Sequence, residues 1–309
     1  MIVLSLCPTA ASLDLSHSTW RIREGYLPSP PEDITQTKDG YLWIETDAGL
    51  LRFDGVRFVP WDSANNGQLP DYQILSLLGA SDGSPWIGTA HGLACWKAQT
   101  LTTYKEMPDL INAIAEDREG NIWIERSQFE DTRGPLCRIS KGHLRCFGRD
   151  AGIPLPSATG VAIDSSGNFW VSGNEGLCKW KAGVSTTYFQ KEFAARGYLM
   201  GVAALVAQSE NHLYAGLQQP DGNLALREFD RGRWEPRRLP KGHGPEPSVN
   251  TLFGDRQGSL WIGTASDGIF RITGGKIDQF SNAEGLASDS VVRFPGSRRH
   301  AVGRVDQGN

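Results

Sequence analysis

One pattern of polar and apolar positions recurs six times along the chain. A polar turn, in most copies centred on glycine, precedes a short apolar strand with an aromatic residue at its centre, as in Asp39-Gly40-Tyr41-Leu42-Trp43-Ile44. The six aromatic residues are Trp43, Trp86, Trp123, Trp170, Tyr214 and Trp261, at spacings of 43, 37, 47, 44 and 47 residues. Strand-and-turn repeats with a period of about 40–50 residues are typical of β-propellers, in which each repeat forms one four-stranded blade.

A second series of turns runs in step with the aromatic residues. Each predicted turn lies between the third and the outer strand of a repeat, and five of the six carry glycine second, as a tight hairpin favours. The turns are Asp54-Gly55, Ala98-Gln99, Lys141-Gly142, Ala182-Gly183, Arg231-Gly232 and Gly274-Gly275. Inner strands are predicted at Ile74-Leu75-Ser76-Leu77-Leu78 and at Gly160-Val161-Ala162-Ile163.

The two ends of the repeat region predict how the ring closes. Trp20-Arg21-Ile22 precedes the first repeat, and residues 282–292 begin a seventh. A strand from one end of a propeller commonly completes the blade begun at the other, which removes open sheet edges. We therefore predict an all-β propeller over residues 15–292, with six recognisable four-stranded blades and an incomplete seventh closed by the N-terminal strand.

Residues 293–309 depart from the repeat, since they contain four arginines but no Trp and no Asp-Gly turn. A back-translation of this segment read one base later encodes Asp-Arg-Glu-Gly-Thr-Leu-Trp-Val-Gly, which is the missing repeat phrase. The hypothesis is that a frameshift, real or from sequencing, truncates the chain inside the seventh repeat. The alternative is a natural basic tail.

Residues 1–14 contain a short apolar stretch followed by small residues, but no Lys or Arg precedes it. We interpret this segment as the remnant of a secretory signal, which predicts an extracytoplasmic protein. An ordinary disordered or strand-forming terminus and a lipoprotein signal at Cys7 are the alternatives. The sequence contains no stretch of about 18 apolar residues, the length that a membrane span needs.

Cys137 and Cys146 flank the Lys141-Gly142 turn symmetrically, because both pairs of numbers sum to 283. Counting outward from the turn places the two cysteines opposite each other in a pair that is not hydrogen-bonded, where the strands approach most closely. A disulfide is possible there if the protein is exported; two reduced thiols are the alternative. Cys95 and Cys178 are interpreted as small core residues.

Several stretches resemble the two-component regulator propeller family. The run from Gln36 to Phe58 is similar to its first blade, Trp20-Arg21-Ile22-Arg23-Glu24-Gly25-Tyr26-Leu27-Pro28 to its lead-in, and Asp255-Arg256-Gln257-Gly258-Ser259-Leu260-Trp261-Ile262-Gly263-Thr264 to a further blade. Blade five departs, with Tyr214 for Trp. The resemblance implies a periplasmic sensor propeller from a membrane-anchored histidine kinase, with membrane and output parts that this chain lacks.

Candidate contact residues come from loops predicted at one face of the ring. Glu125-Arg126-Ser127-Gln128 replaces the Gly-Thr found after the Trp strand in blades two and six. A charged insertion where the other blades have a minimal loop suggests a binding contact. The candidates are Asp47, His91, Glu125, Arg126, Asn174 and Asp267; a drifted or merely solvated loop is the alternative. Trp61 and Trp234 lie outside the repeat register and are expected to be more exposed than the other tryptophans.

Other chemistry finds little support in the sequence. The six histidines show no metal-binding spacing, the Asp-Gly turns lack the dense acidic pattern of a calcium loop, and a net charge of −4 spread along the chain argues against nucleic acid. We predict no catalytic residue, metal or cofactor. The expected function is ligand sensing, with an unknown small molecule or glycan as ligand, self-association in the parent receptor, and membrane contact only through the missing C-terminal part. A secreted interaction scaffold and a lyase- or lactonase-type propeller enzyme are the alternatives.

Overall fold

The computed structural model describes most of the repeat region as six four-stranded antiparallel sheets. The described residues are 2–5, 16–20, 25–62, 66–127, 133–173, 176–189, 202–209, 212–218, 224–240, 246–255, 257–286, 288–291 and 294. Each sheet is a meander in which consecutive strands pair. The predicted all-β propeller with six blades is therefore confirmed.

The blades contain four strands each, in chain order from the inner to the outer strand. They are blade one, β3 (Pro31–Gln36), β4 (Leu42–Thr46), β5 (Gly49–Phe53) and β6 (Phe58–Pro60); blade two, β7 (Ile74–Gly79), β8 (Pro85–Thr89), β9 (Gly92–Lys97) and β10 (Thr100–Tyr104); blade three, β11 (Leu110–Glu116), β12 (Ile122–Ser127), β13 (Leu136–Ser140) and β14 (His143–Phe147); blade four, β15 (Gly160–Ile163), β16 (Phe169–Gly173), β17 (Gly176–Lys181) and β18 (Val184–Tyr188); blade five, β19 (Val202–Ser209), β20 (His212–Gln218), β21 (Leu224–Asp230) and β22 (Arg233–Pro236); and blade six, β23 (Val249–Gly254), β24 (Leu260–Thr264), β25 (Ile269–Thr273) and β26 (Lys276–Phe280).

The aromatic residue of each repeat lies in the second strand and is buried, as predicted for a core position. Trp170, for example, has no exposed surface and contacts Phe229 of blade five with ring centroids 5.0 Å apart. An aspartate six residues earlier holds the indole in three blades. Trp123, Trp170 and Trp261 donate Nε1–H to Asp117, Asp164 and Asp255 at 2.8, 3.0 and 2.8 Å. The core therefore lies between blades, with its polar atoms satisfied locally.

Five of the six predicted two-residue turns are confirmed. In these five, both turn residues have positive φ, between 48° and 89°, as type I′ hairpins require. The turn of blade one is different, because Phe53 pairs with Phe58 and leaves four residues between the strands. Asp54 stabilises this longer turn by accepting the backbone N–H of Arg57 at 2.7 Å and of Val56 at 2.8 Å. These two bonds lower the pKa of Asp54.

The outer hairpin of blade three carries a disulfide. Cys137 pairs with Cys146 across the Lys141-Gly142 turn, in the register expected from the sequence. Their sulfur atoms are bonded at 1.94 Å. Cys95 and Cys178 are both buried, which confirms their assignment as core residues.

The ring is continuous from blade one to blade six. The inner strands of neighbouring blades contact each other at every step, from β3 and β7 through to β19 and β23. Among the described residues, β23 and β3 share no contact of that extent. Blade one turns a face toward this gap, where Trp20 packs on Phe53 with ring centroids 5.0 Å apart.

The C-terminal segment lies against the open face of blade six. Val291 donates its N–H to the carbonyl of Thr264 at 2.8 Å, and a Cβ added to Gly263 would lie 2.6 Å from Val291 Cγ1. In blade two the equivalent Cβ on Gly88 would lie 2.7 Å from Cγ2 of Ile111, which belongs to the inner strand of blade three. Val291 therefore sits where the inner strand of a further blade begins, although its described neighbours form no strand.

Some expectations for the chain ends fall outside the described residues. Ile2–Ser5 (β1) pairs with Ser16–Thr19 (β2) in a separate two-stranded sheet, next to Trp20. Arg21 and Ile22 of the expected closing strand are outside the described part, as is the tail at residues 295–309. Ring closure by the N-terminal strand, the signal remnant and the frameshift stay predictions.

Candidate functional site

One end of the ring, here called the loop face, collects the most variable connections. Because every blade is a four-stranded meander, the turns between second and third strands lie at the same end as the connections between blades. The glycine-rich hairpins between third and fourth strands lie at the opposite end. The loop face therefore carries the segments in which the repeats differ most, and such loops commonly hold binding residues in a rigid scaffold.

A β-bulge recurs at the loop-face end of the inner strands. In five blades the pairing between the first and second strands skips one or two residues at the same place, for example between Ile74 and Ser76 in blade two. Asp33, Ser76, Ala113, Ala204 and Thr251 follow the five bulges directly and pair with the residue two positions after the aromatic anchor. The residues just before them, which we call the bulged positions, are Glu32, Leu75, Asn112, Ala203 and Asn250.

Four of the five bulged positions are accessible in strands that are otherwise closely packed. Glu32 is exposed and Leu75, Asn112 and Asn250 are half-buried. Except for Pro31, which is half-buried, the residues on either side of these positions are buried; Ile74 and Ser76, for instance, flank Leu75. In blade four, Thr159 has the matching position before Gly160, is half-buried, and donates its N–H to the carbonyl of Ser172 at 2.7 Å. A bulge redirects a side chain locally, which is why bulges are frequent at barrel rims and beside active sites.

Three of the six predicted contact residues lie in the turns of the loop face. Asp47 and His91 are exposed and Asp267 is half-buried, each between the second and third strands of its blade. Asn174, in the corresponding turn of blade four, is outside the described residues. These residues share an end of the ring, but among the described contacts no hydrogen bond or ion pair joins any two of them.

His91 pairs with a carboxylate from the connection that leads into blade two. Its Nδ1 lies 2.5 Å from Oδ2 of Asp71, whose Oδ1 accepts the backbone N–H of Gln73 at 2.8 Å. The hydrogen bond from Gln73 is the main reason why the pKa of Asp71 is lowered, and His91 contributes to the same direction. The exposed aromatic ring of Tyr72 follows Asp71 directly.

Asp267 belongs to a turn that the sequence builds in the same way in three blades. Thr46, Thr89 and Thr264 each donate Oγ1–H to the carbonyl of a glycine at or immediately before the start of the third strand, at 2.9, 2.9 and 2.8 Å. In blade six the backbone N–H of Asp267 donates a hydrogen bond to Thr264 Oγ1 at 2.9 Å. A buried threonine therefore fixes the turn that presents Asp267.

Glu125 and Arg126 lie inside the protein, although they were predicted as loop contacts. Both have 0 % exposed surface. The guanidinium of Arg126 donates from NH1 to Asp109 Oδ2 at 2.8 Å and from Nε to the carbonyl of Gly134 at 2.9 Å. Arg126 therefore links the longer connection of blade three to the segment that leads into its inner strand. Because both side chains are buried, neither forms the exposed loop contact that was predicted for it.

A small cleft lies on the outer side of blades one and two. Trp43, Trp61 and Trp96 line it together with Leu50, Leu51, Arg52, Val59, Pro60 and Asn66, and its volume is about 70 Å³. Ligand pockets are usually several times larger. Trp61 is half-buried, packs edge-on against Trp96 at 5.1 Å and donates Nε1–H to the carbonyl of Gly67 at 3.0 Å. Trp234 is likewise half-buried and packs against Phe229. Both tryptophans cover blade interfaces.

Neither metal chemistry nor a membrane helix is visible in the described part of the chain. No group of three or more His, Cys, Asp or Glu side chains there is arranged to hold a metal ion. Within the same residues, no helix has the length and apolar character needed to cross a membrane.

Three features of this arrangement were not predicted from the sequence. The bulged positions have no signature within their own strand, because a bulge is defined by pairing with the second strand. The aspartate six residues before the aromatic anchor could have been predicted, because Asp117, Asp164 and Asp255 recur at that spacing in the sequence. The cation opposite the anchor was also readable, as in Arg271, whose guanidinium carbon lies 5.5 Å from the Trp261 ring centre.

The fold and loop face described above define a β-propeller whose variable positions gather at one end. The family model for the two component regulator propeller matches residues 243–266, which contain the aromatic strand of blade six. The resemblance read from the sequence is thereby confirmed for that repeat. A comparison with curated protein sequences finds no significant match.

Solved structures with the same fold include extracellular domains of putative two-component systems and a lyase. The extracellular domain of the putative hybrid two component system BT3049 from B. thetaiotaomicron aligns with 85 % of this chain at 16 % identity and a TM-score of 0.65. That of BT4673 aligns with 88 % at 15 % identity and 0.64. This chain spans only 36 % of each of those two chains. Virginiamycin B lyase from Staphylococcus aureus aligns with 82 % of this chain and 85 % of its own length, at 16 % identity and 0.61. At such identities the likeness shows the fold alone.

Proposed function

We propose that this chain is the extracytoplasmic, ligand-sensing propeller of a two-component signalling receptor. The observation that carries the proposal is the match of blade six to the two component regulator propeller family, on a fold shared with extracellular domains of hybrid two-component systems. The parent receptor would lie in the inner membrane, and its membrane-spanning and kinase parts would belong to the portion of such receptors that this chain does not cover. The propeller itself performs no catalysis in this proposal.

The packing between blades suggests how a propeller could transmit binding. Neighbouring inner strands are linked by buried side-chain hydrogen bonds. The N–H of Leu77 donates to Asp33 Oδ2 at 3.0 Å, and Ser76 Oγ–H donates to the carbonyl of Ile111 at 2.9 Å. Closely packed interfaces deform little. A small molecule or glycan on the loop face would therefore shift the whole propeller against a partner copy and bias the kinase across the membrane.

The disulfide of blade three supports the proposed location. Disulfides form and persist in oxidising compartments such as the periplasm. Fusion of alkaline phosphatase behind the propeller in the intact gene tests this, since the enzyme becomes active only after export. We expect phosphatase activity from the cell envelope. Activity confined to a cytoplasmic reporter in the same position would contradict the proposed location.

Sequencing of the source gene from the codon of Gly285 onward tests the receptor proposal itself. The expected result is a reading frame that encodes further repeats, a membrane span and a histidine kinase or related output domain. A frame with neither a membrane span nor an output domain would contradict the receptor and favour a free-standing interaction scaffold.

A lyase is the second candidate, because virginiamycin B lyase shares this fold with a TM-score of 0.61. A propeller enzyme that used metal-ion catalysis would hold a divalent ion through ligands such as histidine and carboxylates. Metal analysis of the purified protein separates the two candidates. We expect no stoichiometric divalent ion, and one ion per chain would favour the enzyme.

A further inference from the structure

The accessible part of the inner strands at the loop face is formed by four bulged positions, Glu32, Leu75, Asn112 and Asn250. An inner strand has a neighbouring blade on each of its faces and the second strand of its own blade along one edge. Its remaining edge faces the ring axis. A side chain that is accessible on such a strand, between two buried neighbours, therefore reaches solvent at the axis. Leu75, between the buried residues Ile74 and Ser76, shows this arrangement.

The β-bulge recurs among the repeats, whereas the side chain at the bulged position differs from repeat to repeat. The bulge recurs in five blades, and the residue that follows it is buried in each of them. The bulged residue is instead a carboxylate, a leucine, an alanine or, in two blades, an amide, and Thr159 supplies a hydroxyl at the matching position of blade four. Conserved geometry with variable chemistry is the pattern of positions that determine binding specificity rather than fold.

The polar atoms that this mouth presents to a ligand are mainly hydrogen-bond acceptors. Asn112 and Asn250 use their Nδ2 groups within the protein, donating to Ser127 Oγ at 2.8 Å and to the carbonyl of Val291 at 3.3 Å. The described contacts thus engage the amide nitrogens and not the amide oxygens. Glu32 adds an exposed carboxylate, and no described bulged position carries Lys or Arg.

We infer that the bulged positions Glu32, Leu75, Asn112 and Asn250, with Thr159, line a binding mouth on the axis of the loop face, which selects small polar ligands that donate hydrogen bonds or carry positive charge and disfavours anions. The inference rests on the ligand-sensing part of the proposed function and names its site. Asp47 and Asp267, in turns at the same end, strengthen the negative potential that such a ligand meets.

Cysteine substitution tests the mouth without knowledge of the natural ligand. Leu75→Cys, Asn112→Cys and Asn250→Cys are made in a Cys7→Ser background, in which the other cysteines are buried or disulfide-bonded. Each is treated with a methanethiosulfonate bearing either a trimethylammonium or a sulfonate group. Leu77→Cys and Thr251→Cys are the matched controls, since both wild-type residues are buried in the same strands. Circular dichroism melts verify folding of every variant.

We expect all three bulged cysteines to react and both controls to stay protected. The cationic reagent should react about tenfold faster than the anionic one at low ionic strength, with the difference reduced by Glu32→Gln and by about 0.5 M salt. Protection of the bulged cysteines in folded protein would remove the mouth, and equal or faster reaction with the anion would overturn its selectivity. Either failure leaves the receptor proposal standing, because that proposal depends on the gene downstream of Gly285.

Discussion

Leu75 and Leu77 lie two residues apart on the same inner strand but have different environments. Leu77 is 5 % exposed and packs with Ile74, Ile87 and Trp43 between blades one and two, whereas Leu75 is half-buried at a bulge. In a regular strand, residues two apart face the same side. The bulge breaks this rule, so one strand serves both a blade interface and the mouth of the ring.

The contrast generalises to two kinds of position in the repeats. Interface positions are constrained by the neighbouring blade and tolerate little change, while bulged positions meet solvent and can vary. The first prediction concerns Arg126, which lies at the loop face but is buried like an interface residue.

Arg126→Met should destabilise the protein strongly. The substitution keeps much of the side-chain volume but leaves the carboxylate of Asp109 buried without the guanidinium at 2.8 Å. Loss of one partner of a buried ion pair costs about 3–5 kcal/mol. Urea unfolding of Arg126→Met, Asp109→Leu and the double variant measures the coupling between the two residues. A single-variant loss below about 1 kcal/mol would favour a contact role for Arg126 at the surface over the structural role assigned here.

Gly88→Ala should have the next largest effect. A Cβ at this position would lie 2.2 Å from Ser76 Oγ and 2.8 Å from the carbonyl oxygen of Ile111, two atoms that are joined by a hydrogen bond. Overpacking of this kind costs about 2–3 kcal/mol.

Gly216→Ala is the matched control, because Gly216 has the same register in blade five and an added Cβ would meet nothing closer than 3.4 Å. We expect a change in unfolding free energy below about 1 kcal/mol for this variant. Equal losses for both substitutions would show that the approach of neighbouring blades does not differ between these two interfaces.

The interface built on Tyr214 should give the smallest effect, and one that depends on pH. Burial raises the pKa of Glu228, but hydrogen bonds from His212 and Tyr214, with Arg237 nearby, outweigh burial and lower it overall. A lowered folded-state pKa stabilises the protein above the unfolded value, near pH 4.5, and this contribution is lost as pH falls through the folded value. Glu228→Gln should cost up to about 1 kcal/mol at pH 7. Melting curves at pH 7, 5 and 3 should converge at the lowest pH, and a gap that widens on acidification would contradict the assignment.

The sequence predicted the interfaces much better than the loop face. The aromatic anchors and the tight hairpins are local signals, because their chemistry is set by neighbouring residues. The two-residue turn predicted at Asp54-Gly55 in blade one was wrong. Asp54 instead stabilises a four-residue turn by accepting the N–H groups of Val56 and Arg57.

The loop face depends on partners that are distant in sequence. Arg126 looked like a surface charge because its counter-ion, Asp109, is 17 residues away and belongs to a different connection. The accessibility of Asn112 and Asn250 is set by pairing with the second strand, which no pattern within the inner strand reports. Of the predicted contacts, Asp47, His91 and Asp267 do lie on the loop face, and their role in binding stays a prediction.

The most direct test of this account is the unfolding free energy of Leu75→Ala compared with that of Leu77→Ala, measured by urea denaturation under the same conditions. The account predicts a loss of about 2–4 kcal/mol for Leu77→Ala, because its side chain fills a blade interface, and a loss below about 1 kcal/mol for Leu75→Ala, because its side chain already meets solvent. Equal losses at the two positions would mean that Leu75 is also an interface residue, and the division between packed interfaces and an open mouth would be wrong.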